Sequence, residues 1–176
     1  MTQKFALWQI AGFVFTSIFG TLLHFLYEWS EESLITGLFS PVNESIWEHL
    51  KLIYVPMLLF SVIEYCYVGK EATHFWCLKL MGLLMALTLI PSLFYTYTGI
   101  SGIMVDWLNI VIFFAASGAA YWMETNWLQK AAFCRAPQLI SILLIALIGF
   151  LFVKFTLHPP HIPLFRDPVT GTYGIS

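Results

Sequence analysis

The chain has 176 residues, of which 59% are hydrophobic and 18% are aromatic, whereas only 10% are charged. Soluble domains carry about 25% charged residues, so this composition excludes an ordinary soluble enzyme and predicts an all-α, polytopic membrane protein. The formal net charge of −2 gives no reason to expect a nucleic acid as a partner. The length leaves room for a single transmembrane domain over residues 1–176, surrounded by membrane lipids and without a separate soluble domain.

Five apolar runs are long enough to cross a membrane, which takes about 20 helical residues. They lie at about residues 5–29, 44–67, 75–97, 104–123 and 138–157. The seven tryptophans lie near the ends of these runs, as an interfacial belt of aromatic side chains requires. The first run is too long for the core of a signal peptide and lacks a small-residue cleavage site, so we expect it to be retained. The pattern predicts a bundle of five transmembrane helices.

The basic residues predict the orientation, because lysine and arginine are more frequent in cytoplasmic loops. At the end that carries the N-terminus the chain has five of them: Lys4, Lys70, Lys79, Lys130 and Arg135. At the opposite end it has three: Lys51, Lys154 and Arg166. The cysteines Cys66, Cys77 and Cys134 fall at the first end, where a cytoplasmic location would keep them reduced, and they lack metal-ligand spacing. We therefore expect a cytoplasmic N-terminus and an extracytoplasmic C-terminal tail.

One polar stretch interrupts the apolar pattern at residues 41–51, with the sequence Pro-Val-Asn-Glu-Ser-Ile-Trp-Glu-His-Leu-Lys. Ser40 suits the cap of a helix that begins here, and Pro41 suits its first position. Glu44 would then lie in the first turn, where the helix dipole favours a carboxylate. On a regular helix His49 would project about 140° away from Glu44, since each residue turns about 100°. This polar entrance to a membrane helix is the main functional clue in the sequence.

Polar residues from other runs are predicted to reach the same extracytoplasmic end of the bundle. His24 and Glu28 lie near the end of the first run, Asp106 opens the fourth, and His158 follows the fifth. Imidazole and carboxylate groups are ligands of zinc, non-haem iron and manganese. The candidate metal ligands are therefore His24, Glu44, Glu48, His49 and His158, and the candidate catalytic groups are Glu44, Glu48 and Asp106. No His-Glu-x-x-His motif supports the assignment.

The tail at residues 158–176 contains several prolines, which exclude a regular helix. The apolar residues Ile162, Leu164 and Phe165 interleave with polar ones, and this argues against full disorder. We expect an ordered tail or a lid that folds back over the helix ends. Such a lid would carry several polar side chains towards the cluster: His158, His161, Arg166 and Asp167. A loosely ordered tail is the alternative.

Three functions remain open at this point. The first is a membrane enzyme in which a divalent metal assists hydrolysis or transfer on a lipid-linked or other amphiphilic substrate. The second is a small ion- or proton-coupled transporter or ligand-binding subunit. Nearly all mid-helix positions are apolar, so the ion pathway of such a transporter would need a homodimer interface. Glu64 is expected to be an interfacial charge at the cytoplasmic end of the second run. The third is a structural partner protein, in which Glu44 stabilises the helix dipole, Glu48 pairs with Lys51 and His49 forms an interfacial hydrogen bond.

The stretch at residues 41–51, the preceding Leu-His-Phe-Leu-Tyr-Glu-Trp at 23–29 and the Pro-Pro-His-Ile-Pro-Leu-Phe-Arg-Asp-Pro of the tail at 159–168 carry a resemblance. Together they resemble a family of small bacterial multi-pass membrane proteins of unknown function. The resemblance covers nearly the whole chain. It implies a multi-pass protein of the bacterial plasma (inner) membrane, and it implies no activity, substrate or catalytic residue.

Overall fold

A computed structural model describes residues 2–72, 74–128 and 137–175. The chain forms helices α1 (Thr2–Trp29), α2 (Leu34–Gly37), α3 (Ile46–His49), α4 (Lys51–Tyr67), α5 (Phe75–Ser101), α6 (Asp106–Leu128) and α7 (Gln138–Leu157). Short 3₁₀ turns lie at Gly69–Glu71 and Pro163–Phe165. The described residues contain no strand, and an isolated antiparallel bridge joins Arg166 to Tyr173. The prediction of an all-α protein is confirmed.

Within the described ranges, four helical segments are long and apolar enough to cross a membrane: Gln3–Trp29, Ile46–Tyr67, Phe75–Ser101 and Gln138–Leu157. The second segment comprises α3 and α4 together. Helix α6 corresponds to the fourth predicted run, but it is outside this set of four. Its apolar character is lowered by Asp106, Asn109 and Glu124. Four of the five predicted spans therefore meet the criteria of length and apolar character, and α6 does not.

Helices α1 and α7 present the apolar surface expected of a membrane protein. Their most apolar stretches are only 17% and 22% buried, respectively. Large side chains such as Leu7, Leu139 and Phe150 are at least 60% exposed. A soluble monomer rarely exposes apolar surface along whole helices, because water would solvate it poorly. Lipid is therefore the environment that suits these two helices.

The core lies among α4, α5, α6 and α7, with α1 packed against α4 and α6. Helices α5 and α6 have the most extensive contact, and Ala86, Ala116 and Ala120 are fully buried there. Small side chains let two membrane helices approach closely, so that backbone and side-chain packing replaces the missing hydrophobic drive within lipid. Through this packing α6 forms part of the helix bundle.

The helix after the polar stretch begins later than predicted. Ser45, and not Ser40, is the N-cap, because its side chain accepts a hydrogen bond from the Glu48 backbone N–H at 3.3 Å. Asn43 precedes it in a turn, with its Oδ1 accepting the Ser45 N–H at 2.9 Å. Asparagine and serine side chains compete with the backbone in this way and favour turns and caps over helix interiors. Glu44 therefore lies in a loop before the helix.

The tail folds back over α3. Phe165, which is buried, packs with its ring centroid 4.8 Å from that of Trp47. Ile175 donates its N–H to the Thr156 carbonyl at 3.4 Å, and the Asn43 side-chain amide donates to the Gly174 carbonyl at 3.0 Å. The tail is thus tied both to the end of α7 and to the loop that carries Glu44.

The cysteines require one correction. Cys66 is a free, exposed thiol, whereas Cys77 is disulfide-bonded. The expectation that all three thiols are reduced is wrong at Cys77. Cys134 lies outside the described residues, as do Lys130 and Arg135. Because disulfides persist in oxidising compartments, the thiols no longer support a cytoplasmic location for this end of the bundle.

Candidate functional site

Three of the predicted ligands come together at one end of the bundle. His24 lies on α1, Glu44 in the loop before α3, and His49 in the first turn of the second span. The Nε2 atom of His49 is 3.4 Å from Nε2 of His24 and 3.3 Å from Oε2 of Glu44. One ligand atom from each residue lies within 4.8 Å of the other two. We call these three residues the His–Glu cluster.

The late start of the helix explains why Glu44 and His49 meet. On a continuous helix from Pro41 their side chains would diverge by about 140°. Because the helix begins at Ile46, the loop turns the Glu44 carboxylate back towards the His49 ring. The predicted angle between these two side chains is therefore wrong, and the error arose from the assumed helix start.

The hydrogen bonds of His49 define which ring nitrogen carries a proton. Its Nδ1 lies 3.0 Å from the carbonyl oxygen of Ser45. A carbonyl oxygen can only accept, so Nδ1 carries the hydrogen and donates it. In the neutral ring, Nε2 then has its lone pair directed at His24 and Glu44. Metal-binding histidines commonly have their other nitrogen held in this way by a backbone carbonyl.

The contact between His49 and Glu44 needs a proton or a metal ion between the two atoms. A neutral His49 in this tautomer would place a nitrogen lone pair 3.3 Å from a carboxylate oxygen, and both atoms are acceptors. A proton on Nε2 makes the contact an ion pair, and a metal ion makes both atoms ligands. The His49 side chain is 25% exposed and that of Glu44 is 49% exposed, so the protein does not fully enclose the cluster.

An open cleft adjoins the His–Glu cluster. Glu44 and His49 contribute to its wall, as do Asp106 and Asn109 from the start of α6. The remaining lining is apolar and comes from α4, α5, α6 and the loop before α6: Leu52, Ile90, Phe94, Met104, Ile112 and Phe113, together with Ile46 of α3. The structure thus places the predicted catalytic residue Asp106 in the same cleft as two of the predicted ligands. An apolar cleft with a few polar groups suits an amphiphilic molecule.

Glu48 lies apart from the cluster, in a buried ion pair. Its Oε2 is 2.6 Å from the Lys51 ammonium, and its Oε1 accepts a hydrogen bond from the Thr156 hydroxyl at 2.9 Å. The Lys51 ammonium also donates to the carbonyls of Gly37 and Ser40. With all these partners in place, Glu48 joins α3, α7 and the preceding loop. Glu48 thus pairs with Lys51, as expected for the third function, a structural partner protein.

The tail brings Asp167 towards the site, as predicted. Its carboxylate contacts the backbone of the loop that carries Glu44 and does not join the His–Glu cluster. The Asp167 carboxylate accepts hydrogen bonds from the Val169 N–H at 2.7 Å and from the Thr170 hydroxyl at 2.8 Å. It also accepts the N–H of Glu44. Burial by itself would raise the pKa of Asp167, but these hydrogen bonds lower it below the ordinary value. Asp167 therefore anchors the Glu44 loop.

The other polar residues of this end remain outside the cluster. His158, His161 and Arg166 are exposed at positions along the tail, and Glu28 is exposed on α1. His158, which was predicted as a metal ligand, does not take part in the group of three. The ring of His161 instead lies 4.7 Å from that of Tyr173.

A second polar cluster, which was not predicted from the sequence, lies at the far end of the bundle. Glu64 is completely buried there and not an interfacial charge, and it is paired with the Lys79 ammonium at 2.5 Å. Glu124 of α6 pairs with the same ammonium. The available signal was the presence of these charges within otherwise apolar runs, since ionisable residues in membrane helices usually face the bundle interior.

Comparison with known proteins identifies a family. No curated protein and no solved structure matches the chain. A family described as of unknown function, DUF6512, matches residues 1–175. This match covers nearly the whole length, including the loop with Glu44, the helices and the tail. The chain therefore belongs to the DUF6512 family of unknown function.

Proposed function

We propose that this protein is a multi-pass membrane protein of the bacterial plasma membrane that binds a divalent transition metal through His24, Glu44 and His49. The observation that supports the proposal is the mutual approach of their ligand atoms within 4.8 Å. Two ligands of a tetrahedral zinc ion, at about 2.0–2.1 Å from the metal, lie about 3.3–3.4 Å apart. The two His49 distances of 3.4 and 3.3 Å agree with that separation.

The donor set favours zinc, with iron or manganese as the alternatives. Two imidazoles and one carboxylate are the ligands of several hydrolytic zinc sites, in which a fourth position is left open. In such a site the metal acts as a Lewis acid and lowers the pKa of bound water. The cleft on the Glu44 and His49 side supplies space for a further ligand.

We further propose that the site catalyses hydrolysis or group transfer on an amphiphilic substrate. Asp106 lines the same cleft as Glu44 and His49 and is exposed, so it is available as a general acid or base. The apolar side chains of α5 and α6 would hold the lipid-like part of the substrate. Its polar group would face the cluster.

The alternative of an ion pathway has less support from this geometry. His49 of the His–Glu cluster and Glu64 of the second polar cluster are 15 residues apart along the second span, or about 22 Å. The buried residues between them on that helix include the apolar Ile53, Met57 and Phe60. The buried hydroxyls of Tyr54 and Ser61 on the same stretch already donate to backbone carbonyls of Ile145 and Met57. The observations therefore favour a site at one membrane face over a route across it.

The metal proposal is tested by elemental analysis of detergent-purified protein after supplementation with zinc, iron or manganese. We expect close to one equivalent of metal in the wild type and a loss of most of it in His24→Ala and His49→Ala. His158→Ala is the matched control, because His158 is an exposed histidine at the same end and should leave the metal content unchanged. A wild type without metal under every supplementation, or equal content in all variants, would overturn the proposal.

We also propose that α6 is a fifth span and that the N-terminus is cytoplasmic. The buried ion pairs of Lys51 and Lys79 remove these residues from the loop charges, which leaves Lys4, Lys70, Lys130 and Arg135 at one end against Lys154 and Arg166 at the other. The disulfide at Cys77 favours the reverse orientation. The side of the membrane on which the free Cys66 thiol lies distinguishes the two orientations.

Labelling of Cys66 with a membrane-impermeant maleimide tests this orientation, since the thiol is free and exposed. We expect no labelling in intact cells and labelling after permeabilisation. A Cys66→Ser variant reports the background. Labelling of Cys66 in intact cells would reverse the orientation and place the His–Glu cluster at the cytoplasmic face.

A further inference from the structure

The polar cluster at the far end of the bundle joins three helices through one ammonium group. Lys79 of α5 lies 2.5 Å from Oε2 of Glu64 on α4 and 2.5 Å from Oε2 of Glu124 on α6. Both glutamates are 0% exposed and Lys79 is 3% exposed. Gln9 of α1 completes the group, because its amide donates to Oε1 of Glu64 at 2.6 Å. Water has no access to these charges.

The charges of this cluster do not balance. Two ionised carboxylates and one ammonium would leave a net charge of −1 in the interior. Among the described residues, Tyr121 is the other titratable group that faces them, and it adds no positive charge. The aromatic rings of Phe5 and Phe75 adjoin the Lys79 ammonium on other sides. A net charge buried among apolar groups is costly, and a bound proton removes it.

The polar partners differ between the two carboxyl groups. Glu64 accepts a hydrogen bond from the Gln9 amide on Oε1, and its Oε2 forms an ion pair with the Lys79 ammonium at 2.5 Å without hydrogen-bond geometry. Glu124 has the ammonium on Oε2, whereas its buried Oε1 accepts no hydrogen bond within the described part of the chain. An ionised carboxylate is stable where donors surround both oxygens, and a neutral acid tolerates their absence better. The asymmetry therefore favours the proton on Glu124.

The space around Glu124 also selects a proton over a larger cation. A Cβ atom added at Gly82 would collide with Oε1 of Glu124, so the carboxyl group fills the room beside the α5 backbone. A metal ion would in addition have to lie beside the Lys79 ammonium, which repels it. A proton needs no further volume and no further ligand.

We propose that Glu64, Lys79 and Glu124 form a buried proton-binding site. In it the Glu124 carboxylate takes up one proton to become a carboxylic acid, while Glu64 stays ionised beside the Lys79 ammonium. This step changes the cluster charge from −1 to zero and involves no other bond. The site is about 22 Å along the second span from His49, so it does not depend on a metal in the His–Glu cluster.

Infrared spectroscopy of the detergent-purified full chain tests the proposal at neutral pH. A buried carboxylic acid has a C=O stretching band that a carboxylate lacks. We expect one such band in the wild type, shifted by ¹³C-labelled glutamate and unchanged by a metal chelator. It should vanish in Glu124→Gln and in Glu64→Gln, because one remaining carboxylate balances Lys79 in either variant.

Glu28→Gln is the control, since Glu28 is an exposed glutamate outside this cluster and the change leaves no buried charge unpaired. This variant should retain the band. Absence of a protonated glutamate in the wild type would overturn the proposal, and this measurement requires no variant to fold. Survival of the band in both Glu64→Gln and Glu124→Gln would overturn it as well.

Discussion

The Lys51 ammonium lies 2.6 Å from the Glu48 carboxylate, and both side chains are almost completely withdrawn from solvent. Both oxygens of the Glu48 carboxylate have partners, because the carboxylate also accepts hydrogen bonds from the Val42 N–H and the Thr156 hydroxyl. These partners belong to the loop before α3 and to α7. The ion pair therefore supports the loop that carries Glu44, although neither charge belongs to the His–Glu cluster.

Replacement of Lys51 by methionine should destabilise the protein by about 3–5 kcal/mol, because it leaves the Glu48 charge buried without its partner. Thermal unfolding in detergent measures the effect. Lys70→Met removes an exposed lysine and is the control, which should melt close to the wild type. Equal melting temperatures for the two variants would show that the Lys51 pair contributes little.

Replacement of Glu44 by glutamine should weaken zinc binding by about tenfold or more, since loss of even an outer partner of a ligand costs at least this factor. Glu44 is half-exposed, so the fold should be unaffected. Equilibrium competition with a zinc-binding dye measures the affinity. Glu28→Gln, an exposed glutamate at the end of α1, should keep the wild-type affinity. Identical affinities would remove Glu44 from the ligand set.

Two glycines of α5 should respond to alanine with opposite signs. At Gly82 the added methyl group would meet the Glu124 carboxyl group, so Gly82→Ala should lower the melting temperature. At Gly99 nothing lies within 4 Å, so Gly99→Ala should raise stability by about 0.5–1 kcal/mol through the better helix propensity of alanine. Melting curves of both variants give the test, and a stable Gly82→Ala would contradict the tight packing at Glu124.

Asp167 should make the tail sensitive to acid. Its hydrogen bonds hold its pKa in the folded protein below the unfolded value of about 3.9. The lowered pKa means that its contribution to stability is full above that value and disappears as the pH falls through the folded pKa. Melting temperatures measured from neutral pH down to about pH 3 should fall less steeply in Asp167→Asn than in the wild type. Parallel pH profiles would contradict this role.

The sequence predicts the helical class and the arrival of His24, Glu44 and His49 at one end, because apolar run lengths and polar positions at run ends determine them. It does not predict which of two adjacent residues joins the His–Glu cluster and which forms the buried ion pair. Glu48 and His49 differ by one position, and their roles depend on the Ser45 cap, the turn at Asn43 and a hydroxyl on α7. Those contacts join residues far apart in the chain.

The Glu64–Lys79–Glu124 cluster shows the second limit. Each of these residues, considered alone, resembles a charge at a membrane interface, since it lies near the end of an apolar run. Their burial follows from the way α4, α5 and α6 pack, with Gly82 providing the necessary close approach. Charges within apolar runs indicate burial of each residue, but single-run patterns do not report which helices are neighbours, so the pairing of these three residues could not be predicted from one sequence.

The hydrogen bond from Asn43 to Gly174 has a consequence for biogenesis. The two residues are 131 positions apart, and the ribosome adds about 5–20 residues per second, so the anchor arrives roughly 7–26 s after the loop. During that interval the helices enter the membrane while the Glu44 loop lacks its final support. The proposed metal loading of the His–Glu cluster would accordingly be a late event, and a nascent chain halted before the tail should emerge with the histidines in place but the loop that carries Glu44 unanchored.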